Sequence, residues 1–179
     1  MKIYSTRHGQ TEYNINHRIL GVTDLELNET GIEQAEKLAD AVKRIGDIDI
    51  IICSPMKRAF ETACKVAEKN KIQLVKDIRL REWDYGEYEG VFFDETPEFS
   101  VSKREFGVKM GKTGESLLML SHRVYSALDD IIMEYDDKNV LIVSHGGVCR
   151  MIHTYFHDMT TDEYSNWFMG NCQIIEYTV

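Results

Sequence analysis

The chain has 179 residues, of which 43% are hydrophobic, 28% charged and only two proline; this suits one domain burying roughly 70% of the surface its unfolded form exposes, and excludes disordered, collagen-like and fibrous classes. Its formal net charge of -9 opposes binding to nucleic acid, whose phosphate backbone is gripped by clustered Lys and Arg, although screening over about 8 Å at physiological salt lets a few local cations govern a small-anion pocket. Cys53, Cys64, Cys149 and Cys172 form no CxxC pair, which supports neither a zinc ribbon nor a thioredoxin-like motif and favours reduced, mostly buried thiols.

The N-terminus runs from a lone Lys into an apolar stretch too short for a signal-peptide core. No run approaches the ~20 apolar residues that span a bilayer, so a cytoplasmic protein without a membrane partner is expected. "KIYST" reads as a first strand. "NETGIEQAEKLADAVKRIG" places Ile32, Ala35, Leu38, Ala39 and Val42 at helical spacing, with Gly46 as C-cap. "DIDIIICSP" is a continuous apolar run ending at Ser54 and Pro55, the form of a strand covered on both faces. "MKRAFETACKVAEKN" predicts a second helix buried through Ala59, Ala63, Val66 and Ala67, and "IQLVKDI" a short strand.

From Leu80 to about Gly114 no period is sustained, which predicts loop and short helix of the kind that is usually functional. "ESLLMLSHRVYSALDDIIMEY" is a long amphipathic helix buried through Leu117, Leu120, Val124, Leu128, Ile131 and Ile132. "NVLIVS" is a buried strand, "HGGVCRMIHTYF" turns tightly through Gly146 and Gly147 into a last main helix, and "CQIIEYTV" closes the chain as an edge strand. The alternation predicts an α/β fold, a three-layer α/β/α sandwich around a mostly parallel sheet. One domain over 1–179 is expected, with a substrate loop or lid at about 86–114.

Three strands end in reactive residues: "YSTRHG", "IIICSPMKR" and "VLIVSHGG". Ligands of open α/β sheets bind beyond the carboxyl ends of the strands, so Arg7, His8, Arg58 and His145 are expected to share one crevice. Two guanidinium groups and two imidazoles describe a phosphate pocket, since arginine binds phosphate oxygens bidentately and imidazole serves as nucleophile, donor or proton carrier.

"RHGQTEYN", "GVTDLELNETG", "SPMKRAFETA", "LREWDYGEYEG", "GES" at 114–116 and "SHGG" occur in the order found in the histidine phosphatase superfamily, and the chain resembles its phosphoglycerate-mutase-like branch over nearly its whole length. The resemblance implies that His8 is the nucleophile that takes the phosphoryl group. Arg7 and Arg58 would bind its oxygens, His145 would donate to them in the transition state, Asn14 would line the pocket and Glu82 would be the proton donor. It implies no metal and no other cofactor, and a small-molecule phosphate ester as partner. The oligomeric state stays open, a dimer included.

Read without the family register, Asp84, Glu87 and Glu89 stand beside Glu82 as candidates for the acid. Ser54 and Gln10 adjoin the motifs without a defined role. His17, His122, His153 and His157 read as non-catalytic; His153 and His157 are spaced i, i+4, but the Glu of HExxH is missing. Gly9 is expected to let the backbone pass close to phosphate. Cofactor-dependent mutases resembling the chain carry a longer insertion than the segment between Gly90 and Gly114, which favours a phosphatase over mutase-type transfer. A non-catalytic phosphate-binding module would be expected to lose His8 or His145. Lys103, Arg104, Lys109 and Lys112 are candidates for a second anion, and Phe92, Phe93, Phe99 and Phe106 for a lid or an apolar leaving group.

Overall fold

The computed structural model describes residues 1–95 and 105–179. Its strands, β1 (Lys2–Arg7), β2 (Ile50–Cys53), β3 (Gln73–Lys76), β4 (Val140–Ser144) and β5 (Ile174–Thr178), form one five-stranded sheet in the order β3-β2-β4-β1-β5. All neighbours are parallel except β5, which runs antiparallel to β1 at the edge. The three-layer sandwich follows from the strand pattern. β4 is buried at every position, and successive side chains face opposite sides of the sheet.

On one face, Ile3, Ile50, Ile52, Val140 and Ile142 pack against α4 (Leu117–Glu134) and α5 (Gly146–Phe156). On the other, Tyr4, Ile51, Cys53, Leu141 and Val143 meet α2 (Glu29–Ile45) and α3 (Lys57–Asn70). Each fully buried Ile or Leu contributes about 1.5–3 kcal/mol over leaving it exposed. α2 begins where Asn28 accepts from the Gly31 amide at 2.8 Å and ends at Gly46, whose φ of 75° is the left-handed cap expected there.

Two helix stripes depart from the expected pattern. Ile32 is 40% exposed, and the buried residue on that turn of α2 is Gly31, where a side chain would strike Gln10. In α4, Leu117 and Ile132 are only partly buried, while Ala127 and the charged Arg123 join the buried face. Two short helices were not foreseen: α1 (Glu12–Ile15) and α6 (Thr161–Asn166), the latter with a Thr160–Glu163 capping box. Phe99, Lys103 and Arg104 lie outside the described residues. Among the described residues, no helix is long and apolar enough to cross a membrane.

Candidate active site

Because β2, β4 and β1 are parallel and adjacent, their carboxyl ends come out on one edge of the sheet. Arg7 pairs with Ser144 and Cys53 with Val143, and the ladder runs one residue further. The His8 amide donates to the Ser144 carbonyl at 2.9 Å and the Ser54 amide to the Val143 carbonyl at 3.0 Å. His8 and His145 therefore leave neighbouring strands side by side, their ring centroids 5.2 Å apart. The first turn of α3 brings in Arg58, fully buried, whose Nε donates to His8 Nε2 at 3.3 Å. The expected meeting of Arg7, His8, Arg58 and His145 is the arrangement found.

His8 is held in one tautomer. Its Nδ1 lies 2.6 Å from its neighbour Gly9's carbonyl, which only an N–H can face favourably, and this leaves Nε2 as the lone-pair nitrogen. Burial, then the charges of Arg58 and Arg7, hold its pKa well below the ordinary 6.5. His145 is likewise held far down, first by burial and then by Arg58. Its Nε2 meets the Ser54 hydroxyl at 2.8 Å, and that oxygen also accepts from the Met56 amide.

Both histidines fold neutral, so acid destabilises the fold: below pH 6.5 the unfolded rings take up protons that the folded rings refuse. Their stabilising contribution is complete above that value and drains away as pH falls beneath it. Thermal melts are expected to show Tm dropping between about pH 7 and pH 5, and His145→Gln to show a shallower drop. Equal slopes for variant and wild type would contradict this.

Arg7 is partly buried at the cavity wall; its Nη1 donates to the Met169 carbonyl at 3.2 Å and its guanidinium lies 5.5 Å from the Phe168 ring. Among the buried side-chain nitrogens of the described residues, Arg7 Nε and His145 Nδ1 have no hydrogen-bond partner. Arg58 is gripped further, donating to the Thr23 carbonyl at 2.9 Å and the Gly21 carbonyl at 2.7 Å, and burial pulls its pKa down to about 10.

The four acidic candidates separate cleanly. Glu82 is 5% exposed and lines the same cavity as Arg7; its Oε1 accepts from the Trp83 amide at 2.8 Å and its Oε2 from the Gly147 amide at 3.1 Å. Asp84 caps the Gly86 amide, and Glu87 pairs with Lys112 on the surface. Glu89 accepts from the Gly21, Val22 and Thr23 amides and the Thr23 hydroxyl. It thus holds the loop whose carbonyls hold Arg58. Asn14 lines the cavity with its Oδ1 occupied by Thr11, which leaves its amide nitrogen as donor. Gln10 ties the loop to Asn28 and Gln34 and does not line the cavity.

The tight turn from β4 into α5 at Gly146 is as expected, and the glycines carry packing constraints besides. Neither Gly146 nor Gly147 has a positive φ; a Cβ on Gly147 would come within 2.7 Å of Glu82 Oε1, so this position is small to admit the carboxylate. A Cβ on Gly9 would collide with the Gly31 carbonyl of α2. Its room is needed for packing against a helix.

The cavity encloses about 220 Å³. Arg18 and Arg150 line it together with Phe93 and Trp167, and none of the four was foreseen as its wall except Phe93. His8, Arg58 and His145 are buried behind that wall, next to Arg7. Phe92 lies under the Arg18 guanidinium at 4.1 Å, and Phe106 lines a separate apolar groove beside Leu117 and Leu118. Thr62 and Asn171 were missed as well: Thr62 Oγ1 accepts from the Gly9 amide at 3.0 Å, and Asn171 Nδ2 donates to the His8 carbonyl at 2.7 Å. Thr62 follows Arg58 by one turn of α3, a spacing that would have revealed it, whereas Asn171 is 163 residues from His8.

The family model of the histidine phosphatase superfamily (branch 1) matches residues 3–179. The chain belongs to this superfamily. Similar members of the superfamily include the putative phosphoserine phosphatase 2 of Hydrogenobacter thermophilus, 34% identical over 181 residues covering 98% of this chain and 88% of that one. The phosphoglycerate mutase-like protein 4 of Arabidopsis thaliana is 34% identical over 161 residues, 85% of this chain and 69% of its own length. Among solved structures, the mycobacterial glucosyl-3-phosphoglycerate phosphatase complexed with VO3 superposes with a TM-score of 0.85 at 26% identity, covering 98% of this chain and 91% of that one. In this histidine phosphatase chain the "RHG", "SPMKR" and "SHGG" motifs sit where the parallel strand ends bring them together.

Proposed function

We propose that the chain is a phosphatase that cleaves small-molecule phosphate monoesters through a phosphohistidine on His8, with Glu82 as the acid. The observation that carries this is the pair of buried, unpartnered nitrogens, Arg7 Nε and His145 Nδ1, beside the lone-pair nitrogen of His8. Unsatisfied buried donors cost about 1–3 kcal/mol each, and an entering phosphoryl group would relieve them. On entry, the Arg58 Nε–H passes from His8 Nε2 to a phosphoryl oxygen, which uncaps the nucleophile.

His8 Nε2 then forms the bond to phosphorus as the ester P–O bond breaks, and Glu82 gives its proton to the leaving oxygen. Arg7 and Arg58 neutralise the equatorial oxygens throughout, and the neutral His145 ring donates a hydrogen bond to them. In the second step Glu82 takes a proton from water, the water oxygen bonds phosphorus, the N–P bond breaks and inorganic phosphate leaves. The chain retains both histidines, against the expectation for a non-catalytic module.

The finer reading is a substrate whose leaving group carries a second anion. Arg18 and Arg150 line the cavity bonded only to carbonyls, of Gly90 and Trp167, and stacked on aromatic rings, with no carboxylate partner among the described residues. Lys112, a candidate for this task, is spent on Glu87. Phosphoserine and glucosyl-3-phosphoglycerate, in the names of two relatives, both carry a carboxylate.

Incubation with p-nitrophenyl phosphate and with 3-phosphoglycerate tests the reading. Release of inorganic phosphate from both is expected, without 2-phosphoglycerate. Isomerisation without phosphate release would make it a mutase, and phosphate binding without turnover of either ester would make it a binding module.

A further inference from the structure

The motif "GES" at 114–116 stands among the family-like segments, yet none of its residues lines the cavity. Its glutamate, Glu115, is 5% exposed and paired with Arg123 of α4, itself 9% exposed, through two bonds of 2.8 Å. We propose that Arg123 and Glu115 are positioning residues for Glu82, setting where its proton is delivered; the inference rests on the reading of Glu82 as the acid.

The geometry is a clamp on the acid-bearing segment. A guanidinium has five N–H donors, and all of Arg123's are used. Nε and one Nη2 donor meet the two oxygens of Glu115; the rest reach the carbonyls of Arg79 (2.6 Å), Arg81 (2.6 Å) and Glu82 itself (3.0 Å). Glu115 grips the same stretch from its other side, accepting from Arg81 Nη2 at 2.9 Å and the Asp84 amide at 3.2 Å. Its backbone amide donates to the Asp84 carbonyl and its carbonyl accepts from Trp83 Nε1, both at 2.9 Å. Residues 81–84 belong to no helix or strand, so this ion pair does for them what a ladder does for β1 and β4.

Displacing a catalytic group by 1 Å costs up to about 100-fold in rate. Arg123 bonds the carbonyl of the residue whose carboxylate, at its far end, is fixed by the Gly147 amide at 3.1 Å. The carboxylate is thereby held between α4 and α5. An ion pair serving stability alone would need neither the three carbonyls nor a planar fork, and buried pairs of that kind are often replaced by apolar side chains without loss.

The test compares two esters, p-nitrophenyl phosphate, whose leaving group departs without an acid, and an alkyl phosphate such as glycerol 1-phosphate, whose alkoxide needs one. Arg123→Lys keeps the charge opposite Glu115 but lacks the fork. It is expected to lose about tenfold or more in kcat/KM, which reads only the steps through phosphoryl transfer to His8, on the alkyl ester and less than about threefold on the aryl ester. The double variant Glu115→Leu/Arg123→Met folds without a buried charge and is expected to show the same selectivity. Glu82→Gln is measured alongside. Equal losses on both esters, or no loss on the alkyl ester, in a folded variant would overturn the clamp while Glu82→Gln still discriminates between the esters. If Glu82→Gln does not discriminate, the acid assignment falls and the clamp with it.

Discussion

His8→Ala is expected to lower kcat by roughly 10⁴-fold or more, because removing a nucleophile abolishes the covalent route rather than weakening it. The fold should tolerate the change. His8 contributes its ring through one bond to the Gly9 carbonyl and one from Arg58 Nε, while its backbone remains in the ladder to Ser144. Arg7, Arg58 and His145 keep their positions around the anion, so calorimetry should still register binding of inorganic phosphate. Turnover within about tenfold of wild type would place the nucleophile elsewhere.

Glu82→Gln carries the second large effect, and its size should depend on the leaving group. General acid catalysis contributes about 10²–10⁴-fold, most where the departing alkoxide is strongly basic. Gln keeps an oxygen for one of the amides of Trp83 and Gly147 that Glu82 now accepts from, so the segment stays in place while the proton is lost. In kcat/KM, which reads only the steps through phosphoryl transfer to His8 and not the water step that both esters share, an alkyl phosphate should fall by hundreds-fold and p-nitrophenyl phosphate only a few-fold, on the scale of about 10²–10⁴ for the acid. Equal retardation of both esters would mean that Glu82 shapes the pocket instead of supplying the proton.

The parts of this site that could be read from the sequence are those in which chemistry is attached to a regular element. Arg7–His8, Ser54 with Arg58, and His145 each terminate an apolar run, and parallel pairing does the rest. Glu82 could not be chosen over Asp84, Glu87 or Glu89 from the residues alone. Its stretch has no period, and its position is set by Arg123, 41 residues away, and by Glu115. Gly9 carries a constraint that the sequence could not show for the same reason: the Gly31 carbonyl of α2 leaves no room for a side chain there. Ile32 fell on the helical period of α2, but Gly31 meeting Gln10 turns that helix so that Ile32 faces outward. α6 is a different case, since its Thr160–Glu163 capping box is written in adjacent residues and was available to be read.

The most direct test of the account is to trap the intermediate. Wild-type enzyme mixed with a phosphate ester and quenched within a turnover is expected to carry phosphate on one peptide, that containing His8, stable to alkali and lost in acid; Glu82→Gln should yield less of it from alkyl esters. Turnover that proceeds with no phosphate on His8 at any quench time, or with the label on another residue, would contradict it.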